Sequence, residues 1–362
     1  MRLRYLELSN FKNHASREFQ TEKKFVAFTG LNGSGKTNIL DAIFYLCFTK
    51  SYFNNIEIYN VKHEKSYFRL ASIWTSNNEE VKIVAQYNAE KKQKKILFDD
   101  LPYKKFSDHI GKIPVVMIAP DDQLMMLQFS EERRKYIDIT ISQMDRLYFE
   151  NLNRYNRILK QRNALLKSFV ERGTIDESLL NSYDAEIIES GTYIHEKRKE
   201  VSTQINNHLC SLYKTISGDA EKAELSYVSQ ISDNTYKDIL EQSLHADKYS
   251  GRTTKGIHKD DLEFLLNGTA LRKFGSQGQQ KSFLLSLKIA QLELLFENNK
   301  VAPIIIIDDI FAKLDEERVR NLLSILRSDK ISQIFISDTS QSRIENVFQH
   351  SDEIEIFELT AQ

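Results

Sequence analysis

Gly30-Leu31-Asn32-Gly33-Ser34-Gly35-Lys36-Thr37 gathers three glycines, an ammonium and a hydroxyl into one short run of a chain that holds only 12 glycines in 362 residues. The pattern G-x-x-x-x-G-K-T is that of a phosphate-binding loop. Its glycines let backbone N–H groups turn inward on an anion, Lys36 reaches β- and γ-phosphates, and the Thr37 hydroxyl ligates Mg²⁺. A second chemical feature is Ile304-Ile305-Ile306-Ile307 running into Asp308-Asp309. An apolar strand ending in acids is expected to bring Asp308 beside the loop as a Mg²⁺ ligand. Asp309 then stands where a carboxylate can orient or deprotonate an attacking water. The third is Phe274-Gly275-Ser276-Gln277-Gly278-Gln279-Gln280, which opens a helix. The Ser276 hydroxyl, the backbone at Gly278, the neighbouring Gln279 and the helix dipole make a second phosphate-binding device.

These groups need elements to hold them. Lys24–Thr29 is β-branched and aromatic, and Asn38–Leu46 has apolar residues at helical spacing, so strand, loop and helix follow in the order the loop requires. Leu3–Leu8 is expected as a strand, followed by a polar loop from Ser9 to His14 that returns to the strand before the loop. Tyr67–Thr75, Glu80–Tyr87 and Lys94–Phe98 are expected as an antiparallel meander, with a turn at Ser76-Asn77-Asn78, and residues 114–120 as a short buried strand.

From Pro120 to about Gly218 the chain is helical and charged. Its apolar residues step by three, four or seven, and Gly173-Thr174-Ile175-Asp176 breaks the pattern, which predicts two long helices in an antiparallel hairpin. The basic stretches Arg154–Arg162 and Lys197-Arg198-Lys199 suit a DNA-facing surface and a solvated helix face equally well. After Gly251, Asp261–Leu266 and Thr269–Phe274 form a hairpin around Asn267-Gly268. A helix over Ser282–Phe296, a buried strand over 301–307, a helix over Glu316–Arg327 and a strand over Gln333–Ser337 complete an α/β pattern. Three segments result: 1–119 with the loop and meander, 120–250 as an inserted helical domain, and 251–362 completing the nucleotide core.

A composition of 41% hydrophobic and 28% charged residues with a net charge of −1 describes a globular chain whose basic surface, if any, is local. The two cysteines have no metal-ligand spacing and are expected as buried free thiols. No apolar run is long enough to span a bilayer and Met1–Tyr5 has no signal-peptide core, so a cytoplasmic protein without membrane contact is expected.

The Ser-Gln-Gly-Gln-Gln run resembles the signature of ABC-type ATPases, and Ala312-Lys313-Leu314-Asp315 follows Asp309 where their D-loop belongs, with Ala312 in place of the usual Ser. Beyond those motifs, three blocks resemble the RecF family of bacterial repair ATPases related to SMC heads. They are Leu6–Asn13, Pro120–Met126 continuing to Arg133–Asp138, and Gly256–Leu262 leading to Gln280. The chain departs from that family at Gln128-Phe129-Ser130, Ile257 and Lys259.

The resemblance implies an ABC-type P-loop ATPase head with an antiparallel β subdomain and an inserted helical domain. It implies ATP and Mg²⁺ as cofactors and a homodimer in which each signature caps the partner copy's loop. It also implies sequence-independent binding of double-stranded and gapped DNA, with work alongside RecR, RecO and RecA. A weak DNA-dependent ATPase would act as the switch. Lys259, Arg272 and Lys273 could add to a basic surface. Two alternatives are a transporter ATPase subunit and an SMC-type structural head. About 240 residues between loop and signature, no histidine at Ser337-Asp338-Thr339, and an insert too short for coiled-coil arms weigh against them.

Overall fold

The computed structural model of the chain describes every residue except 55, 77–78, 128, 219–220, 232–234, 311–313, 350 and 361–362. Asn77 and Asn78 of the expected turn, Gln128, and Ala312 and Lys313 of the expected D-loop lie outside the described residues. The chain divides into two compact units. The first joins Met1–Asp122, Thr215–Gly218 and Leu284–Gln362; the second joins Gln123–Lys214 and Asp219–Phe283. Residues 251–283, grouped by sequence with the closing segment, thus fall in the second unit.

The first unit begins with β1 (Arg2–Phe11), β2 (His14–Gln20) and β3 (Phe25–Thr29), then α1 (Lys36–Phe48). A meander of β4 (Tyr67–Ser76), β5 (Glu79–Asn88), β6 (Gln93–Phe98) and the two-residue β7 (Leu101–Pro102) precedes β8 (Val115–Ile118). In the second unit α2 (Gln123–Leu127) and α3 (Ser130–Ser142) lead to the long α4 (Arg146–Arg172) and α5 (Glu177–Ser217), whose residues 215–217 count with the first unit. β9 (Ala223–Val228), α6 (Tyr236–Ser250), β10 (Asp261–Leu266), β11 (Thr269–Ala270) and α7 (Leu271–Phe274) follow. Helix α8 (Gln277–Asn299) carries the chain back to the first unit. There β12 (Ile304–Asp308), α9 (Glu316–Leu326), β13 (Gln333–Asp338), α10 (Gln341–Val347) and β14 (Ile354–Glu358) finish it.

A five-stranded sheet of order β14-β3-β13-β12-β8 is parallel throughout, and β3, β8, β12 and β13 are buried along their whole length. Continuous apolar runs such as Ile304–Ile307 are what a sheet covered on both faces demands. The second sheet, order β2-β1-β4-β5-β6-β7, is antiparallel. Phe11, Tyr45 and Phe68 meet edge to face between this sheet and α1 at ring separations of 5.3 to 6.2 Å, which ties the loop helix to β1 and β4. The second unit has a three-stranded sheet, β11-β10-β9, and the predicted helical hairpin of α4 and α5. Arg154 pairs with Glu186 and Arg162 with Asp184, while Tyr193 donates to Asp145, an antiparallel register.

Three expectations change. Ser9–His14 is not a returning loop: β1 runs on to Phe11 and β2 starts at His14, leaving a tight turn at Lys12-Asn13, because β2 pairs back on β1 with Leu6 opposite Phe19. With His14 and Phe19 the only buried residues of β2, its sequence shows no period of two. The strand expected at Thr269–Phe274 stops after Ala270. Arg272, Lys273 and Phe274 are all exposed, so nothing sustains inward alternation and the chain coils into α7. Of the two free thiols, Cys47 is buried as expected but Cys210 is exposed.

Burial pushes His109 in the first unit and His258 in the second down to about 4 each. A histidine depressed below its free value of about 6.5 binds fewer protons folded than unfolded between those limits. Stability is therefore full above about 6.5 and falls as pH drops toward 4. Urea midpoints at pH 5 are expected below those at pH 7, and His109→Gln is expected to narrow the difference while His258 keeps part of it; equal midpoints at the two pH values in the unsubstituted chain would contradict this assignment.

Candidate phosphate and metal site

The loop leaves β3 at Gly30 and enters α1 at Lys36, and both Gly30 and Gly35 take positive φ, 140° and 95°. Gly35 is constrained twice, since a Cβ there would stand 2.4 Å from His14 Nε2. The same His14 nitrogen lies 3.1 Å from the Gly35 carbonyl, and the imidazole is buried, which pulls its pKa down. Gly33 has the opposite surroundings: a Cβ would meet nothing within 4 Å, so the loop's tip is open. Leu31 and Asn32 are exposed beside it, and Ser34 is buried with its hydroxyl unpartnered.

Lys36 Nζ donates to the carbonyls of Gly30 at 2.6 Å and Leu31 at 2.9 Å, which holds the ammonium at the loop and leaves a third donor for an anion. Burial lowers its pKa, and the carboxylates of Asp309, Asp308 and Asp338 act in the other direction.

Beneath the loop the Thr37 hydroxyl lies 3.0 Å from both carboxylate oxygens of Asp308, which also accepts from the Ser337 hydroxyl. Asp308 is 3% exposed. Burial raises its pKa, with the charge of Asp309 adding to the effect and the two hydroxyl donors opposing it. Strand β12 is not next to β3, however: β13 lies between them. The register aligns Asp308 with Ser337 and Asp338 with Thr29, so the carboxyl ends of three strands face the first turn of α1 together.

Asp309 follows with φ 48° and its N–H 3.0 Å from Ser337 Oγ, while its Oδ1 is buried without a partner. A left-handed aspartate with an unpaired buried oxygen is a costly arrangement of the kind found where a carboxylate has another task. Asp338, also buried, accepts from Ser340 N–H and Arg343.

The loop, Thr37, Asp308 and Asp309 are thus assembled in the first unit, whereas Ser276, Gly278 and Gln279 belong to the second. Ser276 Oγ accepts from Gln279 N–H at 3.2 Å, and Gln279 Oε1 accepts from Ser276 N–H at 2.7 Å, a reciprocal cap that opens α8. The Gln279 amide nitrogen donates to Glu221 at 2.7 Å. Both ends of that side chain are therefore engaged within the chain, while Ser276 is exposed with its O–H free to donate outward. Asp315, the described acid of the expected D-loop, caps α9 by accepting from Arg318 N–H.

These residues fit a nucleoside triphosphate with a hard divalent cation. The open loop tip and third Lys36 donor suit phosphate oxygens. Among the described residues no cluster of three or more His, Cys, Asp or Glu could hold a metal. Thr37 and Asp308 would be the chain's own ligands, with phosphate and water supplying the rest, which is how Mg²⁺ is usually held. Sequence reasoning missed His14 and the role of Ser337. Ser337 ends a strand it did identify, but only the β12–β13 register reveals its partner.

The RecF/RecN/SMC N-terminal domain family matches residues 2–358. The chain is similar to the DNA replication and repair protein RecF of Flavobacterium johnsoniae, 41% identical over 348 residues that cover 96% of each chain. It is 37% identical to the RecF of Cytophaga hutchinsonii, covering 96% of this chain and 92% of that one. Among solved structures it superposes on the recombination mediator protein RecF-ATPrS of the RecFOR pathway with a TM-score of 0.87. That pair is 28% identical, over 99% of this chain and 96% of the other. A Pyrococcus furiosus Smc head domain, 18% identical with a TM-score of 0.53 over 95% and 91% of the two chains, shares the fold alone. The fold is that of an ABC-type ATPase head. Among the described residues no helix is long and apolar enough to cross a membrane.

Proposed function

The chain belongs to the RecF/RecN/SMC N-terminal domain family, and on that premise we propose that it is an ATP-operated clamp on DNA serving replication and recombinational repair. The observation that carries the nucleotide half of this reading is the cluster of Thr37, Asp308 and Ser337 under an open glycine loop, with Asp309 held beside it. The DNA half rests on relatives named for DNA replication and repair and on a solved RecF that carries ATP.

In this reading the backbone from Gly30 through Leu31, Asn32, Gly33, Ser34 and Gly35 wraps the phosphates and Lys36 neutralises them. Thr37 and Asp308 hold Mg²⁺, which would offset phosphate charge when bound. Asp309 accepts a hydrogen bond from the attacking water through its unpaired oxygen. Ser276 and the Gly278 N–H serve the partner copy's site in a head-to-tail homodimer, and Gln279 keeps Ser276 in place. Slow hydrolysis opens the dimer and releases double-stranded or gapped DNA. RecR, with RecO and RecA, would act in the same pathway, in the cytoplasm.

Two substitutions separate the roles. Asp309→Asn keeps a residue that tolerates φ near 50° and should retain Mg·ATP while turnover falls about 100-fold or more, so that ATP-bound dimers accumulate on duplex DNA. Asp308→Asn should instead raise the Mg²⁺ concentration needed for nucleotide binding. Nucleotide titrations at several Mg²⁺ levels, turnover assays and retention on duplex DNA distinguish them. Equal loss of nucleotide binding in both would contradict the assignments, and a wild-type chain that ATP·Mg²⁺ does not hold on DNA would overturn the clamp itself.

A further inference from the structure

We propose that the phosphate backbone of duplex DNA lies along a cationic stripe on the second unit, built from helix α4 and the strap 251–260 that runs beside it. The inference rests on the clamp reading above and supplies the surface that reading lacks.

The strap follows α4 in antiparallel sense. A Cβ on Gly251 would stand 3.6 Å from Lys167 Cα, Thr253 donates to Asn163 Oδ1 from both N–H and hydroxyl at 2.7 Å, and His258 Nδ1 meets Tyr155 OH at 2.8 Å. Lys160 and Lys167, three residues before and four after Asn163, share its face of the helix and so flank the strap. The strap adds Arg252, Lys255 and Lys259. All five are exposed, and none of them makes an ion pair among the described residues.

Two acids that could offset these cations point inward. From Asn151 to Val170 α4 carries no acidic side chain, the exposed Glu171 closing the stripe one turn past Lys167, and the strap has none before Asp260. Asp247 and Asp260 are buried, at 0% and 1% exposure. Asp247 and Asp184 take the buried Arg162 at 2.7 and 2.6 Å, and Asp260 and Asp138 take the buried Arg198 at 3.3 and 3.0 Å. A chain of net charge −1 is thereby sorted locally: two buried arginines hold four carboxylates, and the cations of the stripe are left on the surface. Surface potential follows that local sorting rather than the total.

The strap is also fixed in place. Gly256 has φ 126°, and a Cβ there would stand 2.2 Å from Tyr236 OH, so only glycine fits. Tyr236 OH accepts from Ile257 N–H, Arg198 donates to the Ile257 carbonyl at 2.8 Å, and Arg134 donates to the Asp260 carbonyl at 2.7 Å. A backbone held this firmly presents its lysines with little further ordering on binding.

Four of the five cations are lysines, point charges without the planar fork that reads base edges, which suits phosphates and sequence-independent binding. Lys160 and Lys167 lie about 10 Å apart along the helix, a span over which a duplex presents several phosphates.

The test replaces Lys160, Lys167, Lys255 and Lys259 together by Gln in the full chain. A short duplex of arbitrary sequence is titrated with ATP·Mg²⁺ present at several salt concentrations. If all four touch phosphates, the slope of log affinity against log salt should shrink by about 3 to 4, since each contact contributes about 0.9, with affinity at physiological salt down about 10-fold or more. ATP binding and ATP-driven dimerisation should be unchanged, and Arg at the same four positions should restore the slope. A control set in the loops bordering the antiparallel sheet, Lys65, Lys91 and Lys92 to Gln, should leave the slope nearly as it is.

An unchanged slope in the fourfold variant overturns the inference while leaving the clamp intact, as does a fall confined to the control set. Loss of an acidic protein partner with duplex affinity untouched would move the stripe to a different role. A wild-type chain that binds no duplex overturns both readings.

Discussion

Lys36→Met should lower ATP affinity on the order of 100-fold and abolish ATP-dependent retention on duplex DNA. Methionine matches the lysine stem, so packing is kept and only the ammonium is removed. What disappears is a cation that already bridges the Gly30 and Leu31 carbonyls and has a third donor for phosphate. Hydrogen bonds to charged groups contribute about 1.5 to 3 kcal/mol each, so the loss of one or two to phosphate accounts for a change of that order. Leu31 is exposed, so its carbonyl lies where water can replace the lysine, and the variant should fold normally. Equilibrium binding of ATP and retention of labelled duplex are the measurements. A Lys36→Met chain that holds DNA with wild-type ATP dependence would remove the loop from the proposed switch.

The second large effect is expected at Ser276. If this hydroxyl meets the γ-phosphate held by a second copy, Ser276→Arg should block ATP-driven dimerisation while leaving ATP binding by the single chain nearly intact. The fold adds a complication: Ser276 caps α8 through Gln279, and losing such a cap costs about 1 kcal/mol. Ser276→Asp resolves it. Aspartate caps a helix as well as serine does, yet it places a carboxylate against the partner's phosphate. Both variants should therefore remain monomeric with ATP by analytical ultracentrifugation, and the Asp variant should keep wild-type thermal stability.

Mixing Ser276→Arg with Lys36→Met gives dimers with one doubly defective site and one intact site, so some hydrolysis should return if a single site suffices. Normal ATP-dependent dimers from both Ser276 variants would sink the shared-site arrangement whatever the mixing shows.

The chemistry-bearing runs were legible in the sequence because each is contiguous. The loop with its strand and helix, the acids ending Ile304–Ile307, the serine opening α8 and the break at Gly173 are local patterns set by backbone freedom and periodicity. The resemblance to the RecF family likewise rests on ordered local blocks, and the family match over residues 2–358 agrees with it.

Tertiary structure alone decided which groups meet. Insertion of β13 between β3 and β12 delivers the Ser337 hydroxyl to Asp308 and sets Asp309 in its left-handed turn. The pairing of β2 with β1 brings His14 against Gly35. Charge was the least legible property. Helical spacing shows which residues share a face but not where distant carboxylates end up. Thus Arg162 and Arg198, which lie in stretches that could equally have faced solvent or DNA, are buried on Asp184, Asp247, Asp138 and Asp260, and Arg154 is paired with Glu186 and Glu189. A guanidinium leaves water only when the fold supplies a carboxylate to receive it. That carboxylate can lie far away in the chain, as Asp247 does from Arg162.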